Sequence, residues 1–176
     1  MAQRAESKPL AAAMSVELVH LGGEAGHMNV YGWRNMTFVV WTGSASAENV
    51  GLLDEISAKV RDQHPEGLSG VHIVRGGTPL PSSQAREALV RLANAYANDL
   101  AAVGVVIGGS GFWASTMRSV VTAMRVLASR AYEMRIHGTV DEIVDWLPAV
   151  HAKRTGVTLD PAELLQALRH AAELAQ

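Results

Sequence analysis

The chain contains no cysteine. Thiolate catalysis, iron–sulfur clusters and cysteine-based zinc sites are thereby excluded, and disulfide support for a secreted fold is absent. Charge of one sign is also missing. With 15 Lys and Arg against 17 Asp and Glu, the formal net charge is -2, too little field to hold a polyanion, so nucleic acid is not an expected partner. No run reaches the ~18 uninterrupted apolar residues that a membrane span needs. Met1 to Pro9 is polar and only Leu10 to Met14 precede Ser15, so the apolar centre of a secretory signal is lacking and a cytoplasmic location is the expectation. Seven histidines occur singly, with no pair at i, i+3 or i, i+4 on one helix. No metal site is expected from them, and hydrogen-bonded or solvated structural roles are the better account.

What is present is an ordinary globular composition, 48% hydrophobic and 18% charged over 176 residues, enough for one domain with a sizeable core. Residues 1–14 are Ala-rich and read as a flexible leader. Val16 to Leu21 alternates as a half-buried strand stopping at Gly22-Gly23. Met28 to Trp33 and Met36 to Thr42 flank Arg34-Asn35 at hairpin spacing. Ser44 to Ser46 opens a helix with Val50, Leu53, Ile56 and Val60 on one face, closed by His64-Pro65. Val71 to Val74 is a short strand, Ser82 or Ser83 caps a second helix carrying Leu89, Leu92, Ala93 and Tyr96, and Val103 to Ile107 is apolar enough to be covered on both faces. Trp113, Met117, Val120, Val121, Met124 and Leu127 form the strongest helical stripe. A last strand, Tyr132 to Ile136, precedes a helix from Val140 to Leu147 with Thr139 and Glu142 as capping box, and Asp160-Pro161 starts a final helix with Leu164, Leu168 and Leu174.

Strands alternating with helices predict an α/β fold: a mixed, mostly parallel sheet flanked by helices, with an N-terminal hairpin and an extra C-terminal helix. From about Asn29 to Leu147 this order resembles the STAS superfamily, the fold of anti-anti-sigma factors, in its SpoIIAA-like branch, distantly related to lipid-binding CRAL-TRIO domains. The residues that carry the resemblance are the strand-turn-helix Val39 to Val60 around Gly43, the strand-loop-helix Val71 to Leu92, and Tyr132 to Thr139 followed by a helix closing on Trp146-Leu147. The resemblance implies a STAS-like domain over 15–149 and a helical extension over 150–176. It also implies a phosphoacceptor where such members carry Asp-Ser-Ser/Thr-Gly. The equivalent Pro81-Ser82-Ser83-Gln84 has no Asp before the pair and no Gly after it, so the serines read first as a helix cap.

Gly109-Ser110-Gly111-Phe112-Trp113-Ala114 matches GxGxxA between a strand and a helix, yet it lies in a late crossover and His137 stands where a dinucleotide site needs an acid. A tight turn is the better reading, and the same segment lacks the last glycine of a nucleophile elbow. Gly109, Ser110 and Gly111 of this turn, Phe112, Trp113 and Met117 beside it, and Arg118 and Arg125 on the acid-free side of the following helix are the candidate ligand or partner surface. Trp146 matches a structural position of the family. The C-terminal leucines pack either on their own domain or on a second copy in a homodimer. No catalytic residue and no cofactor is expected. The sequence thus points to a non-enzymatic regulatory or protein-interaction module, with a small apolar ligand or lipid as the alternative partner and a nucleotide-dependent enzyme a distant third.

Overall fold

A computed structural model describes residues 16–128 and 130–175, and the expected leader, 1–14, lies outside them. Apolar and aromatic residues pair β2 (Met28–Trp33) with β3 (Met36–Trp41) across Arg34-Asn35, where Arg34 takes the left-handed φ of 52°. The first strand, β1, spans Val19–Glu24, three residues later than its alternation suggests. Gly22-Gly23 does not stop it, because the glycines absorb a bulge between His20 and Gly22 rather than a turn. Gly23 lies so close to β2 that a Cβ would strike the Met28 carbonyl.

Three crossovers then build the sheet. α1 (Ala47–Gln63) leads to β4 (Leu68–Val74), α2 (Ser83–Ala95) to β5 (Leu100–Ile107), and α3 (Phe112–Leu127) to β6 (Glu133–His137). The strand order is β1-β2-β3-β4-β5-β6, antiparallel across the first two pairings and parallel across the last three. Right-handed crossovers that always step the same way place all their helices on one face of a sheet. The cores agree: Val39, Trp41, Val103 and Val105 meet α1 to α3, whereas Phe38, Val40, Val71, Ile73 and Val106 face away from them.

The second face is covered by the C-terminal segment: α4 (Asp141–Val144), α5 (Leu147–Thr155) and α6 (Pro161–Leu174). The single helix expected over 140–147 is broken at Asp145-Trp146, where the Trp146 indole donates to Glu133 Oε2 at 3.2 Å and lies under the Arg135 guanidinium. Glu142 N donates to Thr139 Oγ1 and the Glu142 carboxylate accepts from Gly138 N, one residue earlier than a standard capping box. Gly104 lets α4 approach, since a Cβ there would lie 2.7 Å from Ile143 Cδ1. In α6, Leu164 and Leu168 are fully buried against this core, which answers how the C-terminal leucines pack, while Leu174 is half exposed. Residues 150–175 therefore help to fill the second face of the sheet.

The polar groups at the centre of this face are bonded, whereas at its β6 edge the Nε2 of His137, packed against Trp146, is buried without a hydrogen-bond partner. His151 is fully buried, its Nδ1 accepts from the Ser69 hydroxyl at 2.8 Å, and its Nε2–H donates to Asn35 Oδ1 at 3.0 Å. Asn35 in turn donates to the Gly67 carbonyl, so one chain of bonds ties α5, β4 and the hairpin turn together. Desolvation holds the His151 pKa down at about 4, against a smaller opposing pull from Glu66.

Candidate functional site: a cavity beneath the second crossover helix

On the first face, α2 stands off the sheet. Its one fully buried residue is Ala85, and Leu89, Val90, Leu92 and Ala93 are only half-buried although they point at β4 and β5. The gap is a cavity of about 160 Å³. Its floor is the alternating face of the central strands: Thr37, Val39 and Trp41 of β3, Gly70, His72 and Val74 of β4, Val103 and Val105 of β5. Its roof is α2, its walls are Leu53 and Ser57 of α1 and Met117, Val121 and Met124 of α3, and Thr78, Pro79 and Pro81 stand at the end above the strand C-termini.

Two sequence choices create this space. Gly70 puts no side chain on the floor of an interior strand, and a Cβ there would make only an ordinary 3.5 Å contact with Thr37 Oγ1. The methionines on α3 leave an adaptable wall. Among the described residues, no Asp, Glu, Lys or Arg lines the cavity.

His72 is the polar group at the centre. The Trp41 indole N–H donates to its Nδ1 at 3.1 Å, so the neutral ring carries its proton on Nε2. Nε2 meets no protein partner among the described residues yet is not sealed off, and for a ring this deep under α2 the open surface is the cavity. Desolvation pushes its pKa down to about 4 and keeps it neutral. Tyr96, at the far end, is otherwise engaged: its hydroxyl donates to Asp54 Oδ1 at 2.8 Å, and burial with that carboxylate pushes its pKa up to about 12.

The residues singled out from the sequence lie around this cavity or away from it. Met117 lines it. Trp113 does not, but its indole donates to the Thr78 carbonyl at 2.8 Å and pins the loop over one end. Phe112 is 88% exposed and points away. Gly109, Ser110 and Gly111 form an exposed turn, with Gly109 and Gly111 at φ of 84° and 91°, and Arg118 folds back on it, donating to the carbonyls of Ile107 and Gly109 at 2.8 and 2.9 Å. Arg118 is therefore a brace for the glycine turn, and Arg125 alone of the two stays exposed. Ser82 is the N-cap of α2, its hydroxyl accepting from Ala85 N at 3.1 Å, and Ser83 is the first residue of the helix. The apolar stripe of α3 is buried only in part, because Leu127 is 69% exposed beyond the edge of the sheet.

No protein-family model and no curated protein matches this chain. Among the described residues there is also no cluster of three or more His, Asp or Glu suited to a metal, and no helix long and apolar enough to cross a membrane. What sets the cavity apart chemically is a mostly apolar wall, with hydroxyl side chains at Thr37, Ser57 and Thr78, around one oriented imidazole. His72, Gly70 and Thr37 escaped the sequence reading, which began this strand at Val71 and treated His72 as one scattered histidine. The usable signal was the alternation Leu68, Gly70, His72, Val74 opposite Ser69, Val71, Ile73: a glycine and a histidine share one face of an interior strand.

Proposed function

We propose that this domain is a binding module for a small apolar molecule held between α2 and the sheet. The observation that carries the reading is the cavity itself: about 160 Å³ of space at the centre of an otherwise packed face, free of charged lining. Protein interiors normally close such gaps, and an apolar cavity of roughly 150 Å³ is known to stay dry and admit benzene. The floor glycine gives it room, the bond from Trp113 holds the loop at one end, and the methionine wall gives it tolerance of shape.

The test is native mass spectrometry of the purified protein before and after denaturation, with a thermal-shift series against small aromatic and aliphatic compounds. An apolar adduct released on denaturation, or a dose-dependent rise in Tm that disappears in Gly70→Val, supports binding. A clean mass with no compound raising Tm rejects it.

A second reading, the STAS-like regulatory module, is favoured by one observation. Phe112 stands almost fully exposed beside the braced glycine turn, and Val126 and Leu127 are exposed further along α3, a disposition suited to a protein partner. In that reading Ser82 keeps the capping role seen at the start of α2, and phosphate found on Ser82 or Ser83 would favour a kinase-controlled switch.

A further inference from the structure

We infer that the cavity selects an uncharged molecule, about one aromatic ring in size, whose single hydrogen-bond acceptor is received by His72 Nε2–H. This rests on the cavity being a ligand site, and goes beyond it by assigning the chemistry of the ligand. Three features of the site carry it.

Trp41 fixes the tautomer. Because its indole N–H occupies Nδ1 at 3.1 Å, the imidazole proton is confined to Nε2, and the ring can only donate toward the cavity. A donor without a partner in an apolar enclosure is costly, and a ligand oxygen placed on it removes that cost. At this nitrogen a carbonyl or ether oxygen fits, whereas an N–H or ammonium group would face a donor and could turn only to the hydroxyls of Thr37 or Ser57.

The second feature is charge. With no Lys or Arg on the lining, a carboxylate or phosphate would be buried with only a neutral imidazole beside it, and with no Asp or Glu a cation would have no counter-ion. The third is size. The cavity compares in volume with one known to admit benzene, and Leu68, Gly70, His72 and Val74 along β4 all line it.

The experiment compares three probes of one shape: ethylbenzene, acetophenone and benzoate. Dissociation constants are measured at neutral pH on the full chain and on His72→Leu. The quantity that decides is the affinity ratio of ketone to hydrocarbon, in which general packing changes cancel. It is expected to fall by about 10-fold in His72→Leu, the effect of one hydrogen bond to a buried donor. Acetophenone bound to the unaltered chain is also expected to show a carbonyl stretch shifted below its value in hexane, which keeps the inference testable should the variant fold poorly. Benzoate is expected to bind at least 10-fold more weakly than acetophenone.

If neither ethylbenzene nor acetophenone binds, the ligand-site reading falls and the inference with it. If both bind but the ratio is unchanged and the carbonyl stretch is hexane-like, the cavity reading stands and the assignment to His72 is overturned. Benzoate binding as tightly as acetophenone overturns the neutrality of the ligand.

Discussion

Lowering the pH from 7 to 5 should destabilise this protein through its buried imidazoles before any carboxylate matters. His72 and His151 both have pKa values pressed down to about 4 by desolvation, whereas the unfolded chain protonates near 6.5. Below 6.5 the unfolded state therefore binds protons that the folded state refuses, so stability falls as pH falls, and the loss is complete near 4. Each histidine contributes at most ~1.4 kcal/mol per pH unit, about 3 kcal/mol over the window, against a total of roughly 5–15 kcal/mol for a typical domain. His137, also lowered first by desolvation, adds in the same direction. Carboxylates enter later: Glu48, held down chiefly by the Ser46 side chain, and Glu66, held down chiefly by a hydrogen bond from its own backbone, lose their contribution only below ~4.5. Urea unfolding followed by Trp fluorescence should give a midpoint that drops by about 1 M per pH unit between 6 and 5, taking a urea m-value of ~2 kcal/mol/M. Replacing both histidines with Gln, which keeps a donor and an acceptor but not the titration, should lower stability at pH 7 and remove most of that slope. A wild-type midpoint flat from pH 7 to 5, or a slope unaltered in the double variant, would refute the assignment.

Leu164→Ala and Leu168→Ala should each cost about 2–5 kcal/mol in urea unfolding, since both side chains are fully buried in the core of the second face. A cost under 1 kcal/mol would mean that α6 only rests on the sheet. Trp113→Phe removes the bond to the Thr78 carbonyl and should speed hydrogen exchange across Arg75 to Leu80 while lowering stability by ~1 kcal/mol, with unchanged exchange as the contrary result. Gly70→Ala should raise Tm, because Gly70 has ordinary strand backbone and a Cβ there makes only a 3.5 Å van der Waals contact with Thr37 Oγ1; a lower Tm would show that the floor has no room.

Much of the architecture could be read in advance because local and global signals agree there. Val39 to Trp41 and Val103 to Ile107 are apolar runs that only two-sided burial explains, and Ser46, Ser82 and Asp160 all serve as helix N-caps. The errors fall where tertiary contacts override local pattern. Gly22-Gly23 looks like a stop signal, yet the pairing with β2 carries β1 through it as a bulge. Val140 to Leu147 has helical spacing, yet the indole bond from Trp146 to Glu133 divides it. The site was less legible. Phe112 and Trp113 drew attention because they are large, but the cavity arises from what is small, Gly70, and from a helix that stands away from its strands, a distance no periodicity encodes.

That distance has an energetic consequence which argues for function. At ~24 cal/mol per Å³, an enclosed cavity of about 160 Å³ would cost roughly 4 kcal/mol relative to a filled interior, and this pocket, which opens to solvent on one side, costs at most that. The sequence could avoid the cost at one position, since the β4 backbone at Gly70 accepts a side chain without strain. The opposite face shows that close packing is within reach of this chain: there Gly104 is used to let Ile143 fill the space, and the fully buried His151 is bonded at both nitrogens, although His137 at the β6 edge has a buried Nε2 without a partner. On the α2 face a glycine leaves the space open, and the histidine is bonded at Nδ1 only. One sheet thus carries the same two residue types in opposite uses, closing one side and holding the other open. A molecule that binds only the folded form recovers part of the cavity's cost in proportion to the logarithm of its concentration over Kd, so the stability left unclaimed on this face is what a ligand would supply.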